Sequence, residues 1–273
     1  MSDLRILLTN DDGIDSPGLT SLYDELSTIA DVTAVAPATN QSGVGRSRTG
    51  IGHGEPTVTI EEHELGYAIG GTPADCTAVG LRELCNPDAL DVVVSGCNVG
   101  PNVGSYIMGH SGTVGAAVEA AFLGVPSIAV SAYDYERFFP NTNDYSAPAV
   151  ATRRIVTEAI EHDLFSTVDV LNLNTRVDTE TTLRSTQPLA DYDTAIEANG
   201  DGVGDFTNTY WAAKPVGPDG LPELDTYKNV YPEWSDRAAV VDGVSSVTPL
   251  RLPQIPADGK TIADVVTAYN NAI

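Results

Sequence analysis

Residues 5–36 read RILLTNDDGIDSPGLTSLYDELSTIADVTAVA, and this segment already indicates the fold class. Residues 5–9 form a short apolar run, which is typical of a strand buried on both faces of a parallel sheet. Ser16 and Pro17 fit the N-cap and the first turn of a helix, which we expect to run to about residue 30. A second apolar run follows at residues 32–36. The segment therefore predicts a strand, a helix and a second strand.

The same alternation continues along the chain. Further elements are predicted as strands at residues 91–95, 127–131, 168–173 and 245–252, a hairpin at 57–60 and 67–69, and helices at 72–84, 112–123, 147–162 and 261–270. Residues 38–54 and 96–110 are rich in glycine and polar side chains, so we expect loops there. Strands that alternate with helices predict an α/β fold, in which helices cover a parallel sheet.

The charge of the chain excludes some functions. It has 273 residues, with 38 Asp and Glu against 14 Lys and Arg, which gives a formal net charge of -24. A surface this acidic is unsuited to a nucleic acid duplex or to an anionic membrane. An ordinary acidic cytosolic protein is one interpretation. We favour adaptation to high salt, which screens the repulsion between carboxylates.

The cellular compartment of the protein is predicted from its cysteines and its apolar segments. The three cysteines are odd in number and show no CxxC spacing, so packed thiols are expected rather than disulfides or a zinc site. No apolar run approaches the roughly 20 residues that span a bilayer. The N-terminal residues show no signal-peptide pattern. We expect a soluble, cytoplasmic protein.

Polar side chains follow three of the predicted strands. They are Asn10, Asp11 and Asp12 after the first strand, Asn40, Gln41 and Ser42 after the second, and Asn98 and Asn102 after the strand at 91–95. Ligands bind beyond the carboxyl ends of the strands in open parallel sheets. Oxygen ligands alone suit hard cations such as Mg²⁺, Mn²⁺ or Ca²⁺. Adjacent carboxylates at Asp11 and Asp12 favour such a cation, although Asp-Asp-Gly is also a common turn.

A second candidate element is Ser111-Gly112-Thr113, at the start of the predicted helix 112–123. The N-terminus of a helix offers free N–H groups and a favourable dipole to an anion, and a glycine lets a phosphate approach the backbone. Ordinary N-capping is the alternative explanation for Ser and Thr here. A phosphate site beside a divalent cation predicts phosphoryl chemistry.

Several common motifs are missing from the sequence. It contains no Walker motif, no GxGxxG after the first strand and no GxSxG. Its four histidines are scattered, and only His110 adjoins the predicted site. Triphosphate, dinucleotide and serine-hydrolase sites are therefore not expected.

Six blocks of sequence resemble the SurE family of 5'-nucleotidases, also called survival protein E. They are ILLTNDDGIDSPGL (6–19), VAPATNQS (35–42), GTPAD (71–75), VSGCNVGPN (94–102), SGTVGAAVEAAFLGVPSIAVS (111–131) and AVVDGVSSVTPL (239–250). The blocks occur in the order of the family. The resemblance implies a Rossmann-like three-layer core with a C-terminal extension that swaps between subunits. It also implies a metal-dependent phosphatase that hydrolyses nucleoside 5'-monophosphates.

The resemblance also implies roles for particular residues. One divalent cation per subunit, Mg²⁺ or Mn²⁺, is expected on Asp11, Asp12, Ser42 and Asn98, and Asp11 or Asp12 is expected to act on the attacking water. The expected phosphate-binding residues are Asn10, Gly43, Asn102, Ser111, Gly112 and Thr113. The chain departs from the family at His110, where a tyrosine is common, and in residues 104–109, which lack an acidic pair.

The division of the chain is predicted as a catalytic core at residues 1–173 and an extension at 174–273. The extension would carry a hairpin or arm and a terminal helix, and would join a homodimer or homotetramer. Two other functions remain open. One is a phosphatase with a covalent Asp nucleophile, although Asp11-Asp12-Gly13 is not the D-x-D of haloacid-dehalogenase-like enzymes. The other is a non-catalytic protein that senses a nucleotide or a metal.

Overall fold

The computed structural model describes residues 4–51, 55–85, 90–190, 193–199, 203–209 and 224–252. The strands are β1 (Leu4–Thr9), β2 (Ala30–Pro37), β3 (Ile60–His63), β4 (Gly66–Ile69), β5 (Val92–Val99), β6 (Ser127–Tyr133), β7 (Val170–Arg176), β8 (Leu183–Ser185), β9 (Asp193–Asn199), β10 (Val203–Thr209) and β11 (Ser245–Leu250). The helices are α1 (Pro17–Leu26), α2 (Pro73–Val79), α3 (Ser105–His110), α4 (Gly112–Phe122), α5 (Ser146–Glu161) and α6 (Asp236–Val241). One turn of π-helix, Gly80–Leu84, continues α2.

The helix starts follow the local sequence. The Ser16 hydroxyl accepts a hydrogen bond from the N–H of Leu19 at the start of α1. Thr72 and Asp75 cap α2 reciprocally, each side chain binding the backbone N–H of the other residue. α1 ends at Leu26 rather than near residue 30, because Ala30 already belongs to β2. The cap at Ser16 was thus predicted correctly, and the end of α1 was not.

Within the described residues, the main sheet has nine strands in the order β3-β4-β2-β1-β5-β6-β7-β11-β8. The six strands from β4 to β7 run parallel. Taken in chain order, these six strands have the 3-2-1-4-5-6 arrangement of a Rossmann fold. This confirms the predicted α/β class. The chain reverses its direction of winding between β1 and β5, which is the switch point where ligands bind in such sheets.

Two helical layers cover the sheet. Ile6 and Leu8 of β1 face a core cluster that also contains Leu22 of α1 and Val156 of α5. Leu7, the residue between them, faces a cluster with α2 and α4. This alternation buries both faces of β1, as its continuous apolar sequence predicts. α1 lies so close to β5 that a Cβ on Gly18 would be 2.3 Å from the carbonyl oxygen of Cys97.

Two differences from the predicted elements affect the site. Residues 96–110, predicted as a loop, contain the end of β5 and the six-residue helix α3. Glycines and asparagines in this segment gave no helical periodicity, and α3 is too short to show one. The predicted hairpin does form, as the antiparallel pair β3 and β4, with its first strand displaced to Ile60–His63.

The C-terminal part is joined to the core through the main sheet. The predicted boundary at residue 173 falls inside β7, and β11 pairs antiparallel with β7 over five residue pairs. β9 and β10 form a separate antiparallel hairpin within the predicted extension. The helix predicted at 261–270 lies outside the described residues.

The three cysteines are free thiols, with Cys76 and Cys97 buried. Packed thiols were predicted for all three, and the structure confirms this for Cys76 and Cys97, whereas Cys85 is half-buried. In the described part of the chain, no helix combines the length and the apolar character needed to cross a membrane.

Candidate active site

Six of the ten predicted site residues line a cleft at the carboxyl ends of β1 and β5, whereas Asn10, Asp12, Gly112 and Thr113 are not among its lining residues. The cleft has a volume of about 260 Å³, and its walls are formed by Asp11, residues 42–43 and 98–102, Ile107, His110, Ser111, and residues 138–139. A larger groove of about 580 Å³ beside α4 contains none of the predicted site residues. The chemistry of the smaller cleft, rather than its size, identifies it as the candidate site.

Asp11 lies at the bottom of the site and is 2% exposed. Its Oδ1 accepts a hydrogen bond of 2.6 Å from the hydroxyl of Thr113, at the start of α4. Burial raises the pKa of Asp11, while this hydrogen bond and the backbone N–H groups of Gly112 and Thr113 oppose the shift. The start of α4 therefore faces the Asp11 carboxylate directly.

Gly112 is the point of closest approach between α4 and Asp11. A Cβ on Gly112 would lie 2.8 Å from the Cβ of Asp11 and 2.9 Å from its Oδ2. No side chain fits there without moving the carboxylate. Glycine is thus required at this position by the geometry of Asp11.

Asp12 is partly buried beside Asp11. Asn40 donates from Nδ2 to Oδ1 of Asp12 at 3.0 Å, and the N–H of Val99 donates to Oδ2 at 3.2 Å. Burial, and then the charge of Asp11, raise the pKa of Asp12 to about 6. Within the described residues, neither carboxylate pairs with an arginine, lysine or histidine.

The loop after β2 is fixed to these carboxylates. The N–H of Gln41 donates to the backbone carbonyl of Asp11 at 2.7 Å, and the N–H of Ser42 donates to Oδ1 of Asn40 at 2.9 Å. Ser42 and Gly43 are exposed and line the cleft. Gly43 has a φ of +80°, a conformation that favours glycine. Asn40 was predicted to lie at this edge of the sheet but was given no role, although an asparagine two residues before a serine is a signal for such a turn.

Asn98 and Asn102 are held by different parts of the fold. Asn98 donates from Nδ2 to the carbonyl of Gly100 at 2.6 Å, which leaves its Oδ1 outside this bond. Asn102 is buried, donates from Nδ2 to Ser131 and from its N–H to Asn174, and its carbonyl accepts from Asn172. Ser131, Asn172 and Asn174 were not predicted, because only the pairing of β6 with β7 brings them to this loop.

Two predicted phosphate-binding residues have internal partners. Asn10 is fully buried, and its Nδ2 donates to the carbonyl of Gly13 and to the hydroxyl of Ser16. Asn10 therefore shapes the turn before α1. The hydroxyl of Ser111 accepts from the N–H of Val114 and caps α4, as the N-capping alternative predicted. Ser111 still lines the cleft.

The donor set fits a hard divalent cation. Asp11, Ser42 and Asn98 line one cleft and supply a carboxylate, a hydroxyl and a carboxamide. The second carboxylate, Asp12, directly follows Asp11 in the chain but is not among the residues that line the cleft. The described residues contain no cluster of three or more His, Cys, Asp and Glu. A mixed set of oxygen donors excludes a zinc-type site and suits Mg²⁺ or Mn²⁺. A cation there would also neutralise two carboxylates whose pKa values are raised by burial.

The far wall of the cleft is aromatic, a feature that sequence reasoning did not identify. Phe138 is buried, whereas Phe139 is 43% exposed, and their rings meet edge to face at 5.1 Å between centroids. They lie between β6 and α5, in residues 134–145, for which no element was predicted. The sequence signal that could have identified this wall is the presence of aromatic residues in an otherwise polar loop.

Comparison with known proteins identifies the family of the chain. Residues 6–192 match a family model described as Survival protein SurE. The chain is 42% identical over 276 residues to a 5'-nucleotidase SurE from Natronomonas pharaonis, covering 97% of this chain and 100% of that protein. It is 41% identical to a 5'-nucleotidase SurE from Haloarcula marismortui, covering 98% and 96%. These relatives come from halophilic archaea, in agreement with the habitat predicted from the charge.

A solved structure is similar over nearly the whole chain. The crystal structure of the SurE protein from Aquifex aeolicus matches with a TM-score of 0.74 and 29% sequence identity, over 97% of this chain and 99% of that one. The similarity therefore extends beyond the predicted core at 1–173 into the C-terminal part.

Proposed function

Because the chain belongs to the survival protein SurE family, we propose that it is a metal-dependent phosphatase that hydrolyses nucleoside 5'-monophosphates to nucleoside and phosphate. Relatives about 40% identical over nearly the full length carry the name 5'-nucleotidase. The observation that carries the proposal is the pair Asp11 and Asp12, two adjacent carboxylates at the switch point that have no cationic partner among the described residues.

The cofactor in this proposal is one Mg²⁺ or Mn²⁺ per subunit, held by Asp11, Asp12, Ser42 and Asn98. Bound there, such a cation would supply Lewis-acid chemistry, which polarises a phosphoryl oxygen and lowers the pKa of a water molecule. Asp11 is kept in one orientation by Thr113, and Asp12 by Asn40 and Val99. Pre-oriented ligands of this kind lower the entropic cost of assembling the reacting groups.

Different protein groups would act on the attacking water and on the phosphoryl group of the ester. Asp11, which lines the cleft, or its neighbour Asp12 would orient the attacking water or accept its proton. The start of α4, with Ser111, Gly112 and Thr113, contributes the positive end of the helix dipole next to the transferred phosphoryl group. Gly43 leaves open space at the cleft, because no atom lies within 4 Å of the position of its missing Cβ.

Asn10 and Asn102 have a supporting part in this scheme. Asn10 fixes the turn that carries Asp11 and Asp12, and Asn102 anchors the segment after Asn98 to β6 and β7. Their mutation would therefore misplace ligands rather than remove a direct contact with phosphate.

We place the activity in the cytoplasm, since the buried free thiols of Cys76 and Cys97 suit a reducing compartment. The assembly in this proposal is a homodimer or homotetramer, joined by the C-terminal part that includes the hairpin β9–β10. The net charge of -24 argues against nucleic acid duplexes and anionic membranes as partners.

The test is a panel of AMP, GMP and other nucleoside monophosphates with Mn²⁺, Mg²⁺ or EDTA, at low and at molar salt. We expect phosphate release with a divalent cation, none with EDTA, and higher activity in molar salt. Binding of a nucleotide without any phosphate release would favour the sensor alternative. Trapping of an aspartyl-phosphate during turnover would favour the covalent alternative.

Asp11→Asn and Asp12→Asn each remove a charge from the proposed cation site. We expect each to lower kcat/KM by at least about 100-fold, since metal-ion catalysis contributes several kcal/mol to the transition state. Circular dichroism and thermal unfolding should show an intact fold, because neither charge is paired with a cation in the described structure.

Asp15→Asn is the matched control for these two variants. Asp15 lies in the same turn, but its side chain is exposed and contacts His63 on the surface. It should keep nearly full activity. Full activity in Asp11→Asn or Asp12→Asn would contradict the assignment of that residue.

A further inference from the structure

The lining of the candidate cleft combines two kinds of chemistry. The oxygen ligands Asp11, Ser42 and Asn98 line it together with apolar groups, including Pro101, Ile107 and Phe139. A free phosphate ion would use the oxygen ligands alone. The apolar groups suit a leaving group with a flat apolar part, and a nucleobase is such a group.

Phe139 is held at the mouth of the cleft by a hydrogen-bonded turn. Asp134 and Phe138 exchange backbone hydrogen bonds of 3.0 and 2.7 Å, and the N–H of Phe139 donates to the carbonyl of Arg137. The carboxylate of Asp134 accepts from the N–H groups of Glu136 and Arg137 inside the turn. Ring stacking on Phe139 would therefore require little ordering of the backbone.

The ring of Phe139 packs beside a proposed cation ligand. A Cβ on Gly100 would lie 2.5 Å from two carbons of the ring, so the ring packs on the bare backbone of Gly100. The carbonyl of the same Gly100 accepts the hydrogen bond from Asn98, a proposed cation ligand. The backbone of Gly100 therefore contacts both the aromatic ring and the side chain of Asn98.

We propose that Phe139 is the nucleobase-stacking residue of this site, and that it makes the enzyme prefer nucleoside monophosphates to phosphate esters without a base. The inference rests on the proposed phosphatase function and adds the specificity of the same cleft. Every nucleobase has a π-face, so stacking on a phenyl ring is tolerant of the base. The site then selects for the presence of a base more than for its identity.

The experiment compares AMP with ribose 5-phosphate, which carries the same phosphate and sugar but no base. We expect Phe139→Ala to lower kcat/KM for AMP about tenfold, within the range of one base–aromatic stack, and to leave ribose 5-phosphate within about twofold. The loss should appear in KM rather than in kcat. Phe139→Tyr, which keeps the aromatic ring, should restore the preference for AMP.

Phe122→Ala is the matched control, because Phe122 is 48% exposed and lines the other groove, outside the cleft. It should leave the ratio of the two kcat/KM values unchanged. An equal loss for both substrates in Phe139→Ala would show that the ring only supports Gly100 and Asn98, and would overturn the proposal. An unchanged ratio, or no preference for AMP in the unaltered protein, would also overturn it.

A binding measurement separates this proposal from the proposed function. A non-hydrolysable phosphonate analogue of AMP, titrated calorimetrically in the presence of Mn²⁺, should bind the unaltered protein about tenfold more tightly than Phe139→Ala. If that difference is found without any turnover of AMP, the stacking role holds and the phosphatase function fails. If turnover is found and the analogue binds both proteins equally, the stacking role fails and the phosphatase function holds.

Discussion

At the scale of single residues, the site concentrates negative charge where the fold provides little to balance it. Asp11 is almost completely buried and Asp12 is its neighbour, and the partners found in the structure are a hydroxyl, a carboxamide and backbone N–H groups. Neutral donors of this kind only partly offset the cost of burying a carboxylate. A protein that keeps two such residues side by side gains stability when a cation binds between them.

This arrangement predicts a pH-dependent stabilisation by metal. Without a cation, the pKa of Asp12 is about 6 in the folded state, above its value in the unfolded state. Between about pH 4 and pH 6, Asp12 is therefore protonated in the folded protein and ionised in the unfolded protein. This group therefore costs the metal-free protein stability as the pH rises through that window. The increase in Tm caused by Mn²⁺ should be larger at pH 7.5 than at pH 5, when both are measured at the same ionic strength by thermal unfolding with and without EDTA.

Asp12→Asn provides the control for the pH effect. The amide cannot take up the proton that competes with the cation, so the dependence of the Mn²⁺ effect on pH should be reduced. Equal stabilisation of the unaltered protein at both pH values would contradict a cation site at Asp12.

At the scale of elements, the start of α4 is the part of the fold that organises the carboxylates. The hydroxyl of Thr113 and the backbone N–H groups of Gly112 and Thr113 contact Asp11, and Gly112 has no side chain that would collide with the carboxylate. Local sequence predicted this helix start from Ser111-Gly112-Thr113. It did not predict that Asp11 would be the partner, since that contact joins residues about a hundred positions apart.

Gly112→Ala tests this contact between elements. The added methyl group would approach Asp11 to within 3 Å and displace its carboxylate, so we expect kcat/KM to fall by about 10- to 100-fold. Steady-state kinetics on AMP with Mn²⁺ measures the loss.

Gly109→Ala, in α3, is the matched substitution. No atom lies within 4 Å of the position of its Cβ, and alanine is the better helix former, so activity should be kept and stability should rise slightly. Similar activity in the two variants would mean that Asp11 tolerates displacement, contrary to its proposed role.

At the scale of the whole molecule, the C-terminal part supports a loop of the site through hydrogen bonds from outside the cleft. Asp236, the first residue of α6, accepts hydrogen bonds from the N–H groups of Gly104 and Leu189. Gly104 ends the segment that begins at Asn98, so α6 holds the loop that carries a proposed ligand. The sequence from 174 onward therefore contributes to the catalytic core as well as to any interface.

Asp236→Ala should destabilise the protein by about 3 kcal/mol, because three buried backbone donors, the N–H groups of Gly104, Leu189 and Arg237, lose their acceptor. Chemical denaturation measures the free energy of unfolding. Asp236→Asn keeps one acceptor oxygen and should show an intermediate loss.

Asp242→Ala is the comparison for that experiment. Asp242 follows α6 and makes a partly exposed ion pair with Arg184, so its removal should cost less than about 1 kcal/mol. A loss at Asp236 no larger than the loss at Asp242 would show that α6 does not hold the Gly104 loop.

The net charge is the second property of the whole molecule that makes a prediction. With a formal charge of -24, repulsion between carboxylates opposes the compact state at low ionic strength. Raising KCl from 0.1 M to 2 M should increase the Tm by more than about 5 °C, as screening shortens the range of the repulsion. A neutral osmolyte of equal osmolality serves as the control. A Tm that stays constant or falls with KCl would contradict adaptation to high salt.

The sequence alone determined the features that depend on neighbouring residues. The apolar strands, the caps at Ser16 and Thr72, and the polar residues after the strands all follow from short segments, since capping and burial patterns act over a few residues. Their order along the chain was enough to predict a parallel α/β sheet. The resemblance of six blocks to one family added the expected ligands, and the family itself is confirmed.

Only the tertiary structure decided which of these residues meet. The pairing of β1 with β5 brings Asp12 to Val99, the pairing of β6 with β7 supplies Ser131 and Asn174 to Asn102, and the turn after β6 places Phe139 on Gly100. Such contacts join residues that are far apart in the chain, and no local propensity encodes them. They form because burying both faces of one sheet fixes the order and register of its strands, and with them the positions of the loops at its edge.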